Sequence, residues 1–394
     1  MSSPLPPAVL PEGFSLPGHD SPERESEVLL GLIASGLMKL AHWRGEVDRR
    51  RPYDGRLQLG LDRLAVACAR RGLDVPIGVG DLVWEWCARR PMHNWPVVLD
   101  PDVQADGELL LINGAPSEFC REWARSTNDV VADVHESALV EHVKDVAGAL
   151  GRPELYAHWR LLVTQHAVVS ASELLTLKNR FLDVPPWATW LDQSYEQIPP
   201  EATVEGRVAV CSSCEQWADP APGGRWTCPS WRCALRHDAA EVRLVEAAGL
   251  RRLRRELVIY IALPGRPELE LAEALAARGA HVVLYPLLDA LDLVATWRNG
   301  TSIGVDVKDW RKAYLLARRI KRFPEWRGSH PYAYQEGFVA VPDDRTTKSQ
   351  HYLRILHKRS VTLQTQRHVS AITISRLVRR CPDDGPTGEI TCGP

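Results

Sequence analysis

The chain has 394 residues and a mass of 44.1 kDa, with 45% hydrophobic and 25% charged residues and a formal net charge of −2. That length allows two or three domains with substantial cores, and the balance excludes a wholly disordered chain, a collagen and a small disulfide scaffold. The charge is split: Arg251–Arg380 carries 24 Lys and Arg against 12 Asp and Glu, a net of +12, which leaves −14 for the remainder.

Such a split fits a C-terminal part that meets a polyanion; the plainer reading is that the basic residues only solvate helices. No apolar run approaches the roughly 18–20 residues of a membrane span. The opening MSSPLPPAVLPEGFSLPGHDSPE has no basic stretch followed by an apolar one, so no secretory signal is expected. Nine cysteines, four of them clustered, fit a reducing cytoplasm and a metal site better than a disulfide framework.

In chain order, the proline-rich residues 1–25 read as a flexible lead-in. Residues 26–200 read as a mainly helical N-terminal domain for scaffolding or partner binding, because EVLLGLIASGLMKLAHW, GDLVWEWCARR, HESALVEHVKDVAGALG and SELLTLKNRFL place apolar residues at i, i+3, i+4 spacing. WPVVLDPDVQADGELLLINGAP reads as a short strand pair around a turn. Cys68, Cys87 and Cys120 are expected as buried small hydrophobes, and Trp84, Trp86, Trp123, Trp159, Trp187 and Trp190 as core rather than base-stacking platforms.

Cys211, Cys214, Cys228 and Cys233 follow as C-x2-C-x13-C-x4-C, within an expected zinc ribbon over residues 205–240. Two short knuckles can turn four thiolates to one point, and four soft ligands at tetrahedral geometry select a closed, structural zinc site. A redox dithiol is the competing reading, and His237 is an alternative to Cys233 as fourth ligand. Trp217, Trp226 and Trp231 are expected to cover the ribbon.

From 251 to 380 the pattern alternates. ELVIYIALP reads as a strand, PELELAEALAARG as a helix, and AHVVLYPLL as an extended segment. DLVATW and SIGVDVKDW flank the hairpin signal Asn299-Gly300. A basic helix, WRKAYLLARRIKRF, a strand, EGFVAVPDD, a helix around QHYLRILHKR and a strand, SAITISRLV, complete the domain, and residues 381–394 read as a flexible tail. In a strand, residues two apart face one side, so the Asp306 carboxylate and Lys308 amine project together, and the hairpin can bring Asp292 to the same end. Two hard carboxylates make a site for Mg²⁺, with the lysine orienting or deprotonating an attacking water and neutralising charge on a phosphate. Arg311, Lys312, Arg318, Arg319 and Arg322 on the basic helix would form a phosphate track.

The order helix, Asp-led strand, D-x-K strand, helix, strand resembles the PD-(D/E)xK nuclease superfamily. The upstream knuckles, the helical N-terminal region and DVKDW further resemble the endonuclease-like protein encoded with prokaryotic PIWI proteins of the PIWI-RE type and a helicase. The resemblance implies an α/β (α+β) restriction-endonuclease-like C-terminal domain beside the central zinc ribbon and helical N-terminal domain. It also implies catalytic Asp292, Asp306 and Lys308, with Asp292 and Asp306 holding magnesium and Asp289 a rival for the first role. A glutamate from the preceding helix falls on Glu270, with Glu268 and Glu273 as alternatives; no proline precedes Asp292, where Leu291 stands. The implied activity is Mg-dependent cleavage of DNA in cytoplasmic mobile-element defence. DNA, with RNA guidance as an option, a PIWI-type protein and a helicase are the implied partners, and homodimerisation is a further option. A non-catalytic zinc-ribbon adaptor that recruits DNA to such partners is the alternative, and a zinc-ribbon transcription regulator a more distant one.

Overall fold

The structure, a computed structural model, describes residues 21–42, 53–112, 114–126, 130–221, 225–230, 233, 242–347, 349, 351–385 and 388–393. The lead-in up to residue 20, Trp231 and His237 lie outside them. The chain divides into two compact units, Met1–Thr127 and Asn128–Pro394. This boundary falls inside the region expected as a single N-terminal domain.

In the first unit, helix Pro22–His42 packs against helices Gly55–Arg71 and Glu118–Ser126. Leu30, Ile33, Leu57, Leu64, Phe119 and Trp123 fill the seam, as the helical periodicity requires. Asp54 caps the second helix by accepting from the Arg56 N–H, and Gly72 closes it in the left-handed conformation. Cys68, Cys87 and Cys120 are buried. Trp84 departs from expectation: on the π-helical turn Leu82–Cys87 it points outward at 58% exposure, while Trp86 turns inward. The expected strand pair shrinks to β1 (Leu111–Ile112) and β2 (Ala115–Pro116), because Pro96 and Pro101 cannot donate to a ladder and the chain before it makes 3₁₀ turns instead.

The second unit is a mixed α/β body with three sheets among the described residues. Helices Val130–Ala149, Glu154–Gln165, Ala171–Lys178 and Pro185–Ser194 belong to it. Trp159, Trp187 and Trp190 are completely buried in one core with Leu271, Val282, Leu293, Val305 and Phe338, so these helices pack with the C-terminal sheet. Strands β3 (Val168–Ser170) and β4 (Tyr195–Gln197) flank β9 (Leu250–Leu253). A four-stranded sheet runs β7 (Arg225–Thr227), β6 (Trp217–Ala221), β5 (Arg207–Cys211), β8 (Val242–Glu246).

The expected strand ELVIYIALP is helical. A turn at Arg255–Leu257 and a π-helical turn at Val258–Ala262 lead into helix Leu263–Ala276. An apolar run of that length suits a buried helix as well as a strand, and the wider turn opens the ladder just where Pro264 and Pro267 lack donors. The central sheet has the order β14-β13-β12-β11-β10-β15. Strands β10 (His281–Leu284), β11 (Leu293–Thr296) and β12 (Ser302–Val307) are antiparallel neighbours; β13 (Glu336–Val341) and β14 (Val369–Thr373) add in parallel. The turn at Asn299-Gly300 joins β11 to β12 as expected, with Gly300 at φ 85° and Asn299 Oδ1 accepting from Thr301 N. The segment expected as a tail instead supplies β15 (Ile390–Thr391), parallel to β10.

Two further expectations change. SAITISRLV is strand only to Thr373, and Ile374–Arg380 is helix, its start fixed by Asp343 accepting from the Ser375 N–H and hydroxyl. The basic helix is confined to Ala313–Ala317. Beyond it, Phe323 N donates to Gln366 Oε1 at 2.9 Å and Phe323 O accepts from Gln366 Nε2 at 3.0 Å, so a side-chain bracket replaces helix bonds just before Pro324. No helix among the described residues is long and apolar enough to cross a membrane.

Candidate functional site

The antiparallel register of β11 and β12 pairs Leu293 with Val305, which places Asp292 beside the end of β12. Asp292 N donates to Val305 O at 3.1 Å, and Asp292 Oδ2 accepts from Val307 N at 2.6 Å. Lys308 Nζ forms an ion pair with Asp306 Oδ1 and stands 3.5 Å from Asp292 Oδ2. The structure therefore brings Asp292, Asp306 and Lys308 to one point.

Glu270 does not join them. It is exposed, whereas Glu268, two residues earlier on helix Leu263–Ala276, is buried and faces the site. Helix phase explains the correction: positions two apart lie on opposite sides of a helix, and only one can face the sheet. Asp289 also comes in, carried by an unusual turn in which Tyr285, Leu287, Leu288 and Asp289 all have positive φ, from 48° to 71°. Each left-handed non-glycine residue costs about 1–2 kcal/mol, so the surrounding packing must hold this turn.

Sequence reasoning missed the residue that joins these acids. Arg160, on helix Glu154–Gln165, lies with its side chain 8% exposed among them. Its Nη2 donates to Glu268 Oε1 at 2.7 Å and Oε2 at 2.9 Å and stands 3.5 Å from Asp292 Oδ1, while Nη1 pairs with Asp289 Oδ2. The guanidinium stacks over Tyr285 at 4.3 Å. Tyr156 OH donates to Asp289 Oδ2 at 3.2 Å, and Lys144 Nζ is 3.6 Å from the same oxygen. The one signal in the sequence is a charge among apolar positions of an otherwise core-facing helix. Gly265 permits the approach: a Cβ there would lie 2.8 Å from Thr164 Oγ1, one helical turn from Arg160.

Burial pushes the Asp306 carboxyl up to about 7, with Asp292 adding to the rise and Lys308 opposing it. Asp292 is buried as well, but Lys308, Arg160 and its hydrogen bonds outweigh burial and hold it below the usual range. Burial raises Glu268 and Asp289 despite Arg160. For Lys308, burial favours the neutral amine, yet Asp292 and Asp306 outweigh it and hold the ammonium charged. Four carboxyl groups thus face Arg160, Lys308 and Lys144. Two buried hard oxygen ligands, Asp292 and Asp306, fit a divalent cation such as Mg²⁺.

Of the expected phosphate track, Arg311, Arg318 and Arg322 are exposed and Arg319 is half-buried. Lys312 is a correction: at 8% exposure it faces inward, since the short helix turns Lys312 towards the core side with Leu315 and Leu316. Arg322 lies beyond the helix and pairs with Glu325 at 2.7 Å.

The four cysteines converge. Cys211, Cys214, Cys228 and Cys233 are all buried with their sulfurs within 4.8 Å of one another, and among the described residues no other group of three or more His, Cys, Asp or Glu ligands is gathered so closely. The Cys228 thiol beside Cys214 holds the Cys214 thiol down to about 6, while burial pushes Cys233 up to about 12. The cluster could hold a metal such as zinc, and the four cysteines complete a set without His237. Trp217 serves the main core instead of the ribbon, its indole N–H donating to Leu253 O at 3.0 Å, and Trp226 is half-buried.

Residues 29–170 match the family described as pPIWI_RE three-gene island domain Y, and residues 265–383 match the family described as REase associating with pPIWI_RE. The chain is a nuclease-like protein of the PIWI-RE type. No curated protein and no solved structure matches it. In this PIWI-RE protein the REase segment contains Glu268, Asp289, Asp292, Asp306 and Lys308, and the domain Y segment ends just after the helix that carries Arg160.

Proposed function

We propose that this protein is a Mg²⁺-dependent endonuclease that cleaves DNA and works with a PIWI-type protein and a helicase in cytoplasmic defence against mobile elements. The convergence of buried Asp292 and Asp306 with a charged Lys308 at the end of β12 carries the reading. Asp292 and Asp306 would hold the ion, which when bound supplies an electrophile for the phosphate and lowers the pKa of an attacking water. Val307 N–H fixes Asp292 Oδ2 towards the centre of the site. Lys308, kept protonated by its two acids, donates to the water or to a phosphate oxygen and offsets the charge that develops there. Arg311, Arg318 and Arg319 would fix the register of the backbone without reading sequence, so any choice of sequence comes from a partner. The four-cysteine site, closed to substrate, would hold structural zinc.

The test is cleavage by the full chain, alone and with its PIWI-type and helicase partners, in Mg²⁺ and in EDTA. Asp306→Ala and Lys308→Ala should each abolish cleavage and leave DNA affinity within about threefold, since affinity resides in phosphate contacts. Lys308→Arg should fail too, because a broad guanidinium cannot take the place of a compact ammonium. Cleavage by Asp306→Ala at the wild-type rate would refute the assignment. DNA bound but never cut by the wild type with Mg²⁺ and partners would make the protein an adaptor.

A further inference from the structure

Arg160 is buried among three acids that a divalent ion could otherwise claim. One of its terminal nitrogens, Nη2, donates to both Glu268 oxygens, at 2.7 and 2.9 Å, and the other, Nη1, is taken by Asp289, so the planar fork bridges the two acids. The remaining reach, 3.5 Å, goes to Asp292 Oδ1, the carboxylate oxygen turned away from Val307 N and Lys308. Charge-assisted hydrogen bonds of this kind are the strong ones, and buried acids need such compensation to hold a negative charge. Without Arg160, Glu268 and Asp292 would be two neighbouring oxygen donors on rigid elements, which is how carboxylate sites recruit Mg²⁺ or Mn²⁺. The helix that carries Arg160 lies in the segment matched to domain Y, yet the acids it serves lie in the segment matched to the REase.

We propose that Arg160 is a positioning residue that stands where a second cation would: it takes up Glu268, Asp289 and Asp292 Oδ1 and leaves Asp292 Oδ2 and Asp306 to one divalent ion, so that the last helix of the domain Y segment completes the nuclease site. The proposal rests on the endonuclease reading and specifies its ion count. It also means that the REase segment alone lacks part of its own site.

The experiment counts Mn²⁺ bound to the zinc-loaded full chain by electron paramagnetic resonance, with cleavage and DNA binding measured on the same samples. The wild type should bind one Mn²⁺, lost in Asp306→Ala. Arg160→Met should bind two, cleave at least about tenfold more slowly, and keep its DNA affinity. Arg160→Met/Glu268→Gln, in which one positive and one negative charge are removed together, should return to one ion. Arg160→Lys keeps the charge without the fork, so it should bind one ion and still cleave at least about tenfold more slowly. A merely structural arginine would not change the ion count in a folded variant. One Mn²⁺ and full cleavage in folded Arg160→Met would overturn the proposal. Should that variant not fold, two ions in the double variant or wild-type cleavage by Arg160→Lys would overturn it equally. A wild type with no Asp306-dependent Mn²⁺ would remove the endonuclease reading itself, a result distinct from one bound ion that the Arg160 variants leave unchanged.

Discussion

Gly265→Ala should destabilise the protein when residue 164 is Thr and stabilise it when residue 164 is Ala. The added Cβ would lie 2.8 Å from Thr164 Oγ1 and 2.9 Å from Cγ2, where ordinary contact needs about 3.5 Å. Thr164 cannot swing aside cheaply: its χ1 is stiff, and its hydroxyl donates to Arg160 O at 2.8 Å. The two helices must therefore part by roughly 0.6 Å, an overpacking cost of about 1–3 kcal/mol. Alanine recovers up to about 1 kcal/mol through helix propensity, so a net loss of up to roughly 2 kcal/mol remains. In the Thr164→Ala background the clash is gone and only the gain survives. At about 2–4 °C per kcal/mol for a unit of this size, Tm should fall by up to roughly 8 °C in the first case and rise by up to roughly 4 °C in the second. Thermal unfolding of the four proteins of the cycle, followed by circular dichroism, isolates the coupling. Function should follow the same sign: Glu268 lies about one turn beyond Gly265, and parting the helices stretches the Arg160–Glu268 bonds, so cleavage should fall about tenfold in Gly265→Ala and recover in the double variant. A change in Tm of the same sign in both backgrounds would refute the close-packing argument.

Elemental analysis should find one zinc per chain, and Cys214→Ala should lose it and lower Tm, because structural metal binding is coupled to folding; zinc-free protein purified without chelator would refute the site. Replacing Arg318, Arg319 and Arg322 with Ala should weaken DNA binding and flatten its dependence on salt, since fewer counterions are released; an unchanged slope in the binding isotherms would return these residues to a solvating role. Lys312→Ala should lower Tm and leave the salt slope unchanged, since its side chain is buried.

The features legible in the sequence are those whose cause is local. Asn299-Gly300 forms its turn because its own backbone preferences favour it, and period-two alternation puts Asp306 and Lys308 on one side whatever the sheet contains. The cysteine spacing likewise gathers four sulfurs with little help from the rest of the chain. Tertiary structure decided what local pattern leaves degenerate. Val258–Ala262 is apolar enough for strand or helix, and burial against Glu154–Gln165 makes it helical. Glu268 and Glu270 are equivalent in composition, and the phase of one helix against the sheet selects the first. WRKAYLLARRIKRF has a helical pattern, yet Gln366, far along the chain, takes the Phe323 backbone bonds. Arg160 reaches Glu268 across a separation of 108 residues. No periodicity or spacing encodes that meeting, because a buried charge finds its partners only when separate elements pack and exclude water from both.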